Sequence, residues 1–220
     1  MMRNCSNASL SNIHITSPDV SSNTDGIDIS HSTKIRVQDS VIKTGDDCIA
    51  VNSGCSYINI TGINCGPGHG ISIGSLGRDR SRATVNEGGS GFAEKIVFEN
   101  ITLVDSENPI LITQYYCSNN KDCESQHCKN QTSAVEISDV SFIGFTGTSA
   151  TKDAIRLLCS ESVGCNRIVL DGINIKASPS LGAEKDEKLS SQCVNAHGTS
   201  SGSNNPAVPC LLPNDHSYKA

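Results

Sequence analysis

Short apolar stretches alternate with polar residues along most of the chain, and they recur in groups of three. Ile13, Ile35 and Ile58 each begin the first stretch of a group, and they are separated by 22 and then 23 residues. Such alternation predicts half-buried β-strands, and no segment has a convincing helical period. Three short strands in a repeat of this length indicate the coils of a parallel β-helix.

An antiparallel β-sandwich of short strands is the alternative to a β-helix. We disfavour it because a sandwich does not repeat a Gly/Asp turn at a constant offset. After Ile58 the spacing of the first stretches lengthens to 38, 39 and 33 residues, which indicates longer loops. The strand pattern ends near Ser178. We therefore expect a β-helix over residues 1–177 and an irregular tail over residues 178–220.

Polar side chains precede the third strand in three successive coils. They occur in Asn23–Gly26, in Gly45-Asp46-Asp47 and in Gly68-His69-Gly70, with 21 residues from Asp25 to Asp46 and 23 from Asp46 to His69. Successive coils lie ~4.7–4.9 Å apart, so these groups should form a column. Carboxylates held that close raise one another's pKa, and at least one should keep its proton near neutral pH.

A proton donor beside ionised carboxylates is what hydrolysis of a glycosidic bond requires. For an isolated Asp-Asp pair, a turn or a Ca²⁺ site would be the better interpretation. The repetition of the pattern, with a histidine in the next coil, favours catalysis instead. A buried structural role for His69 is the remaining alternative at that position.

These three segments resemble three of the four signature motifs of the polygalacturonases, glycoside hydrolase family 28, and especially of their plant members. Further segments that fit the family are Ser72–Gly77, Asn108–Cys117 and Cys128–Thr132. The resemblance implies a right-handed, single-stranded parallel β-helix of about six to seven coils. It also implies inverting hydrolysis of α-1,4 links between galacturonates, with no cofactor and no metal.

The resemblance also assigns roles to residues. Asp46 would be the general acid, Asp25 and Asp47 together would act as general base on the attacking water, and His69 would tune the acid. Residues expected to contact substrate are Asn23, Gly68 and Tyr116. An inverting enzyme needs ~6.5–9.5 Å between acid and base carboxyls, so the side chains would have to splay beyond one coil step.

The family also provides the expected disulfides. The resemblance implies the pairs Cys48–Cys65 and Cys159–Cys165. Further candidate pairs are Cys193 with Cys210, and Cys117 with Cys123 or Cys128. Cys5 and Cys55 are left over, and the odd total of 11 cysteines requires at least one free thiol.

The fourth family motif, Arg-Ile-Lys, is absent from the sequence. Compared with the family, we expect about one coil to be deleted at a join near Asn86 and Glu87. Each galacturonate carries a carboxylate, and a charge-assisted hydrogen bond to it contributes ~1.5–3 kcal/mol. We therefore expect impaired activity. Arg78, Arg80 and Arg82 lie close in sequence, but a solvated basic loop is the better interpretation of them.

Composition limits the partners and the compartment. The net charge of −6 argues against nucleic acid, and no apolar stretch approaches the ~18 residues of a membrane span. Eleven cysteines favour an oxidising, extracellular location. Five Asn-x-Ser/Thr sequons fit secretion. The start lacks a signal peptide, so we expect the signal and the first coils to be missing from this chain.

Three functional classes follow. The first is a secreted, monomeric hydrolase of pectic polygalacturonate in the cell wall. The second is a non-catalytic relative that binds pectin through a decayed site. The third, a pectin lyase, would need Ca²⁺-binding acids with a catalytic Arg, or an Arg-rich groove, and Gly68-His69-Gly70 suits neither.

Overall fold

A computed structural model describes residues 1–74, 88–115, 134–181 and 188–213 of the protein. Within these residues, the chain forms strands and one short 3₁₀ helix, Pro179–Leu181. The strands are β1 (Met2–Arg3), β2 (Ser6–Ser11), β3 (His14–Thr16), β4 (Ile27–Ser30), β5 (Thr33–Lys43), β6 (Asp47–Val51), β7 (Cys55–Cys65), β8 (Gly68–Ile73), β9 (Gly88–Thr113), β10 (Ala134–Ser149), β11 (Asp153–Leu158), β12 (Cys165–Asp171), β13 (Asn174–Ala177), β14 (Ser190–Val194) and β15 (Ala196–Ser200).

The strands stack into three walls, and the pairing between neighbouring strands is parallel. One wall, here called the site wall, contains β1, β4, β6, β8, residues 106–113 of β9, β11 and β14. The second wall runs from β2 to β15, and the third from β3 to β13. Because each coil contributes to all three walls, the predicted parallel β-helix is confirmed.

The core consists of apolar side chains stacked coil upon coil. On the site wall they form the fully buried column Ile29, Val51, Ile73, Ile112 and Leu157. On the second wall the corresponding column is Val37, Ile60, Phe98, Phe142 and Leu170. Alternate side chains of a strand point inward, so each coil covers the apolar side chains of its neighbours. This packing, rather than local propensity, stabilises the stack.

The residues after position 177 differ from the expected irregular tail. β14 pairs with β11 and β15 pairs with β12, so coil stacking continues to Ser200. The sequence pattern missed β14 because Ser191 and Cys193 lie opposite Ile155 and Leu157, where earlier coils carry large apolar residues. A disulfide between Cys193 and Cys210 then ties the following segment to this strand.

The join expected near Asn86 and Glu87 lies outside the described residues. The strands before and after it nevertheless pair directly, since Ile73 of β8 lies opposite Ile112 of β9. On the third wall, Ile63 of β7 lies opposite Ile101 of β9. The coil that contains His69 is therefore the immediate neighbour of the coil formed by β9.

None of the helical residues that the structure describes forms a segment long and apolar enough to span a membrane.

Replacing Phe142 by Ala should strongly destabilise the stack. Its ring lies 5.2 Å from that of Phe98 and 5.7 Å from that of Phe145, centroid to centroid, and it is fully buried. A cavity at such a position costs ~3–5 kcal/mol of unfolding free energy. Denaturant unfolding would measure this loss.

The matched control is Phe92→Ala on the same wall, because Phe92 is 44% exposed. This control should lose much less stability than Phe142→Ala. Equal losses at the two positions would contradict the proposed importance of the aromatic stack.

Candidate active site

The two adjacent carboxylates lie at the turn that leads into β6. The Thr44 hydroxyl donates to the Asp46 carbonyl at 3.1 Å, and the Asp47 N–H donates to Asp46 Oδ1 at 2.9 Å. Cys48 follows directly, is fully buried and forms a disulfide with Cys65. The turn is therefore fixed by its own hydrogen bonds and by a covalent link to β7.

Two glycines allow His69 to approach this turn. Gly68 has a φ of +150°, and a Cβ there would lie 2.6 Å from the carbonyl oxygen of Thr44. Gly70 has a φ of +111°, and a Cβ there would lie 2.3 Å from the carbonyl oxygen of Asn108. No side chain fits at either distance. The backbone N–H of His69 consequently reaches the Asp46 carbonyl at 2.8 Å.

The imidazole of His69 lies between two carboxylates. Its Nδ1 is 2.7 Å from Asp46 Oδ1, and its Nε2 is 3.3 Å from Glu107 Oε2. Glu107 belongs to β9, one coil beyond His69. On the other side of the turn, the Ser72 hydroxyl donates to Asp47 Oδ2 at 2.5 Å. Side chains from three successive coils thus meet on the site wall.

Asp25 joins this group from the preceding coil. The N–H of Gly26 donates to the Asp47 carbonyl at 2.8 Å, which places the Asp25 turn beside the Asp46-Asp47 turn. The pKa of Asp25 is raised to about 7, first by burial and then by a hydrogen bond to Asp28 and by the charges of Asp28, Asp46 and Asp47. Burial is the first of these causes, and the crowding by neighbouring carboxylates that the sequence predicts adds to it.

The pKa of Asp47 is also raised, to about 6. Burial is the largest cause; the hydrogen bond from Ser72 opposes it, the charge of Asp46 adds to it, and the charge of His69 opposes it. The two raised pKa values therefore belong to Asp25 and Asp47, the pair to which the family resemblance assigns the role of general base. Each can act as a base only when ionised, which requires a pH above its own raised pKa.

Glu107 and Asp28 were missed by the sequence analysis. The contact of Glu107 with His69 depends on β9 stacking directly on β8. The sequence indicates this stacking only when the strands on either side of the join near Asn86 and Glu87 are paired with each other. Asp28 follows Asp25 by three residues in the same motif, and its proximity was the available signal.

A metal ion would find oxygen and nitrogen donors here, because ligand atoms of Asp46, Asp47 and His69 lie within 4.8 Å of one another. Exposed acidic groups commonly form such clusters without an ion. The 2.7 Å between Nδ1 and Oδ1 suits a direct hydrogen bond. Two ligands of one tetrahedral metal, each ~2.1 Å from it, would lie ~3.4 Å apart. The geometry therefore favours hydrogen bonding at this pair.

The other predicted residues have different fates. Asn23 is exposed, with a φ of +55°, two residues before Asp25. Tyr116 lies outside the described residues, as do Cys117, Cys123 and Cys128. The adjacent Tyr115 donates its hydroxyl to the Cys159 carbonyl at 3.0 Å. The cysteines that the sequence analysis paired as 48–65, 159–165 and 193–210 are disulfide-bonded, while Cys5 and Cys55 are free.

Comparison with known sequences agrees with this fold. The sequence profile of the family described as "Glycosyl hydrolases family 28" matches residues 1–88 and 80–205. The two overlapping matches meet where the sequence analysis locates a missing coil. The chain belongs to glycosyl hydrolase family 28.

Named relatives are plant proteins. A polygalacturonase of Cryptomeria japonica is 43% identical over 96% of this chain and 43% of its own length. A probable polygalacturonase of Arabidopsis thaliana is 41% identical over 94% of this chain and 48% of its own length. A polygalacturonase of Malus domestica is 42% identical over 80% of this chain. The chain thus spans about half the length of the curated relatives it matches.

Asp25→Asn should flatten the pH dependence of stability. A folded-state pKa raised to about 7, against 3.8 for the ordinary carboxyl, makes the folded state bind more protons. The wild-type free energy of unfolding should therefore fall from about pH 4 to about pH 7 and then level. The expected loss is about 2 kcal/mol, roughly half of what the whole shift implies, because Asp25 is partly exposed.

Thermal unfolding of both proteins between pH 4 and pH 8 would test this expectation. The exposed Asp39, substituted in the same way, controls for the loss of one charge. Parallel curves for wild type and Asp25→Asn would contradict the assignment.

Glu107→Ala should change the neutral tautomer of His69. An ionised carboxylate only accepts hydrogen bonds, so Glu107 draws a ring proton to Nε2 while Asp46 draws one to Nδ1. Without Glu107, an ionised Asp46 should draw the proton to Nδ1. The ¹⁵N NMR shifts of the two ring nitrogens, recorded where the ring is neutral, report the tautomer.

Glu136→Ala, at an exposed glutamate on the second wall, is the matched control and should leave the His69 shifts unchanged. If Glu107→Ala also leaves them unchanged, Glu107 does not set the tautomer.

Proposed function

We propose that the protein acts on pectic polygalacturonate and hydrolyses its α-1,4-galacturonosyl bonds with inversion. The observation that carries this proposal is the Asp46–His69 pair at 2.7 Å, with the turns of Asp25 and Asp47 packed against it. An acid–base group of this kind within a family of glycosyl hydrolases supports cleavage of a glycosidic bond. The names of the relatives supply the substrate class.

In this proposal Asp46 protonates the departing glycosidic oxygen. His69 Nδ1 lies 2.7 Å from Asp46 Oδ1, so the imidazole is placed to pass a proton to this carboxyl and supply it for the acid role. Asp25 and Asp47, once ionised, together accept the one proton that the attacking water gives up. Ser72 orients Asp47 for that role through its hydrogen bond.

We also propose that turnover is impaired. The chain lacks the Arg-Ile-Lys sequence, so two cations that would meet substrate carboxylates are missing. At the coil next to His69, the described structure presents the carboxylate of Glu107 instead. A polyanionic substrate would therefore encounter additional negative charge close to the bond to be cleaved, which raises the energy of the bound state.

The second candidate function is that of a non-catalytic pectin-binding protein. The contact of Glu107 with His69 favours this second function, because a carboxylate occupies the neighbourhood of His69 while the stack of coils is intact. A β-helix tolerates the loss of a coil because each coil contacts only its neighbours. In this second proposal the site wall still binds pectin although it no longer cleaves it.

The proposed location is extracellular, with the protein acting as a monomer on the cell wall. Three disulfides among the described residues support an oxidising compartment. The plant relatives, named as polygalacturonases, support a pectic substrate. Neither nucleic acid nor membrane enters the proposal, in keeping with the net charge of −6.

Reducing-sugar release from polygalacturonate should be lower by several powers of ten than that of a polygalacturonase that carries the Arg-Ile-Lys sequence. Asp46→Asn should abolish the remainder because it removes the proposed acid. Asp39→Asn, at an exposed aspartate away from the site, should leave it unchanged. Calorimetric binding of oligogalacturonate, measured on the same proteins, separates the two candidate functions.

Residual hydrolysis that depends on Asp46 supports the impaired enzyme, and binding without hydrolysis supports the second candidate. Ordinary turnover would refute the impairment. Absence of both binding and hydrolysis would refute both candidates.

A further inference from the structure

Outward-facing positions of the site wall form a second column beside the buried one. Strand register places its members opposite one another from coil to coil: Asp28, Ala50, Ser72, Leu111, Arg156 and Gln192. Ser72 is the residue that hydrogen-bonds Asp47. Arg156 on β11 therefore lies on the same face as the acid–base group, two coil steps or ~9.6 Å along the stack from Ser72.

The Arg156 side chain is half-buried and is held by the coil next to His69. Its Nη1 donates to Asn108 Oδ1 at 3.2 Å. Asn108 lies opposite Gly70, and Gly70 lies opposite Asp47. The guanidinium is therefore drawn back from β11 over β9, toward the coils that carry the acid–base group.

The charges around this position define what it could bind. Asp28, Asp46, Asp47 and Glu107 put carboxylates on or beside the neighbouring coils of the site wall. A galacturonate polymer adds a carboxylate on every ring, so it needs a cation on this wall to lie along it. Among the described residues, Arg156 is the cation in the outward column.

We propose that Arg156 is a substrate-binding residue that takes the carboxylate of a galacturonate ring lying on the β9–β11 part of the site wall. A guanidinium has five N–H donors in a planar fork that matches a carboxylate, and the contact with Asn108 uses one of them. Asn108 orients that fork and carries no charge of its own. The proposal rests on the proposed pectic substrate and adds a residue that binds one of its carboxylates.

Calorimetric titration of the full chain tests the proposal with two ligands, an oligogalacturonate and its fully methyl-esterified counterpart. Arg156→Gln should weaken oligogalacturonate binding about tenfold or more, because it removes a charge-assisted pair. The same substitution should leave binding of the esterified oligomer unchanged. Arg156→Lys should recover only part of the affinity, since an ammonium keeps the charge but lacks the fork.

Arg36→Gln is the matched control, because Arg36 is an exposed cation on the second wall and its loss changes the net charge equally. This control substitution should change the dissociation constant of neither ligand by more than about twofold. The difference between wild type and Arg156→Gln should also shrink as salt is raised.

Each outcome bears on the proposal. Wild-type binding that Arg156→Gln leaves unchanged overturns the role of Arg156 and leaves the proposed substrate standing. Equal weakening of both ligands by Arg156→Gln indicates a structural role and also overturns it. A wild-type protein that binds no oligogalacturonate overturns the proposed function, and this inference with it.

Discussion

The parallel register of the site wall is the constraint on which the rest of this structure depends. Each coil returns to the same wall, so the start of one strand lies against the start of the next. Asp46 and His69 are 23 residues apart in sequence, yet their side chains meet at 2.7 Å. The close approach is possible because Gly68 and Gly70 have no side chain where the backbone of the adjacent coils passes. The candidate acid–base group thus follows directly from coil stacking.

The same register also determines the electrostatics. Burial, together with the crowding of carboxylates onto neighbouring coils, disfavours ionisation of the most enclosed groups, so the pKa values of Asp25 and Asp47 rise, while the charge of His69 opposes the rise at Asp47. A hydrogen bond from Ser72 works against this rise at Asp47. Burial and mutual repulsion therefore favour the protonated carboxyls at this site, whereas a hydrogen bond such as that from Ser72 favours the ionised form of the carboxylate that accepts it.

Particular elements show what the sequence could and could not predict. The stacking of Ile27–Ile29, Ile49–Val51 and Ile71–Ile73 followed from the repeat, because inward positions recur with the coil. β14 did not, because Ser191 and Cys193 occupy its inward positions and erase the apolar pattern. The Asp46–His69 contact was predictable from adjacent motifs. The Glu107–His69 contact was not, because it depends on which coil follows β8 in space.

That dependence separates the stability of the stack from its function. Packing along a β-helix is a nearest-neighbour property, so β9 can rest on β8 and bury Ile110 and Ile112 as any other coil would. Recognition of the proposed substrate is not a nearest-neighbour property, because an extended polyanion contacts several coils at once and its binding depends on the order of their charges. The core requires only that adjacent coils fit each other, whereas the order of charge depends on which coils are adjacent; here Glu107 lies beside His69 and Arg156 over Asn108. The fold can therefore be retained under a rearrangement to which catalysis is far more sensitive.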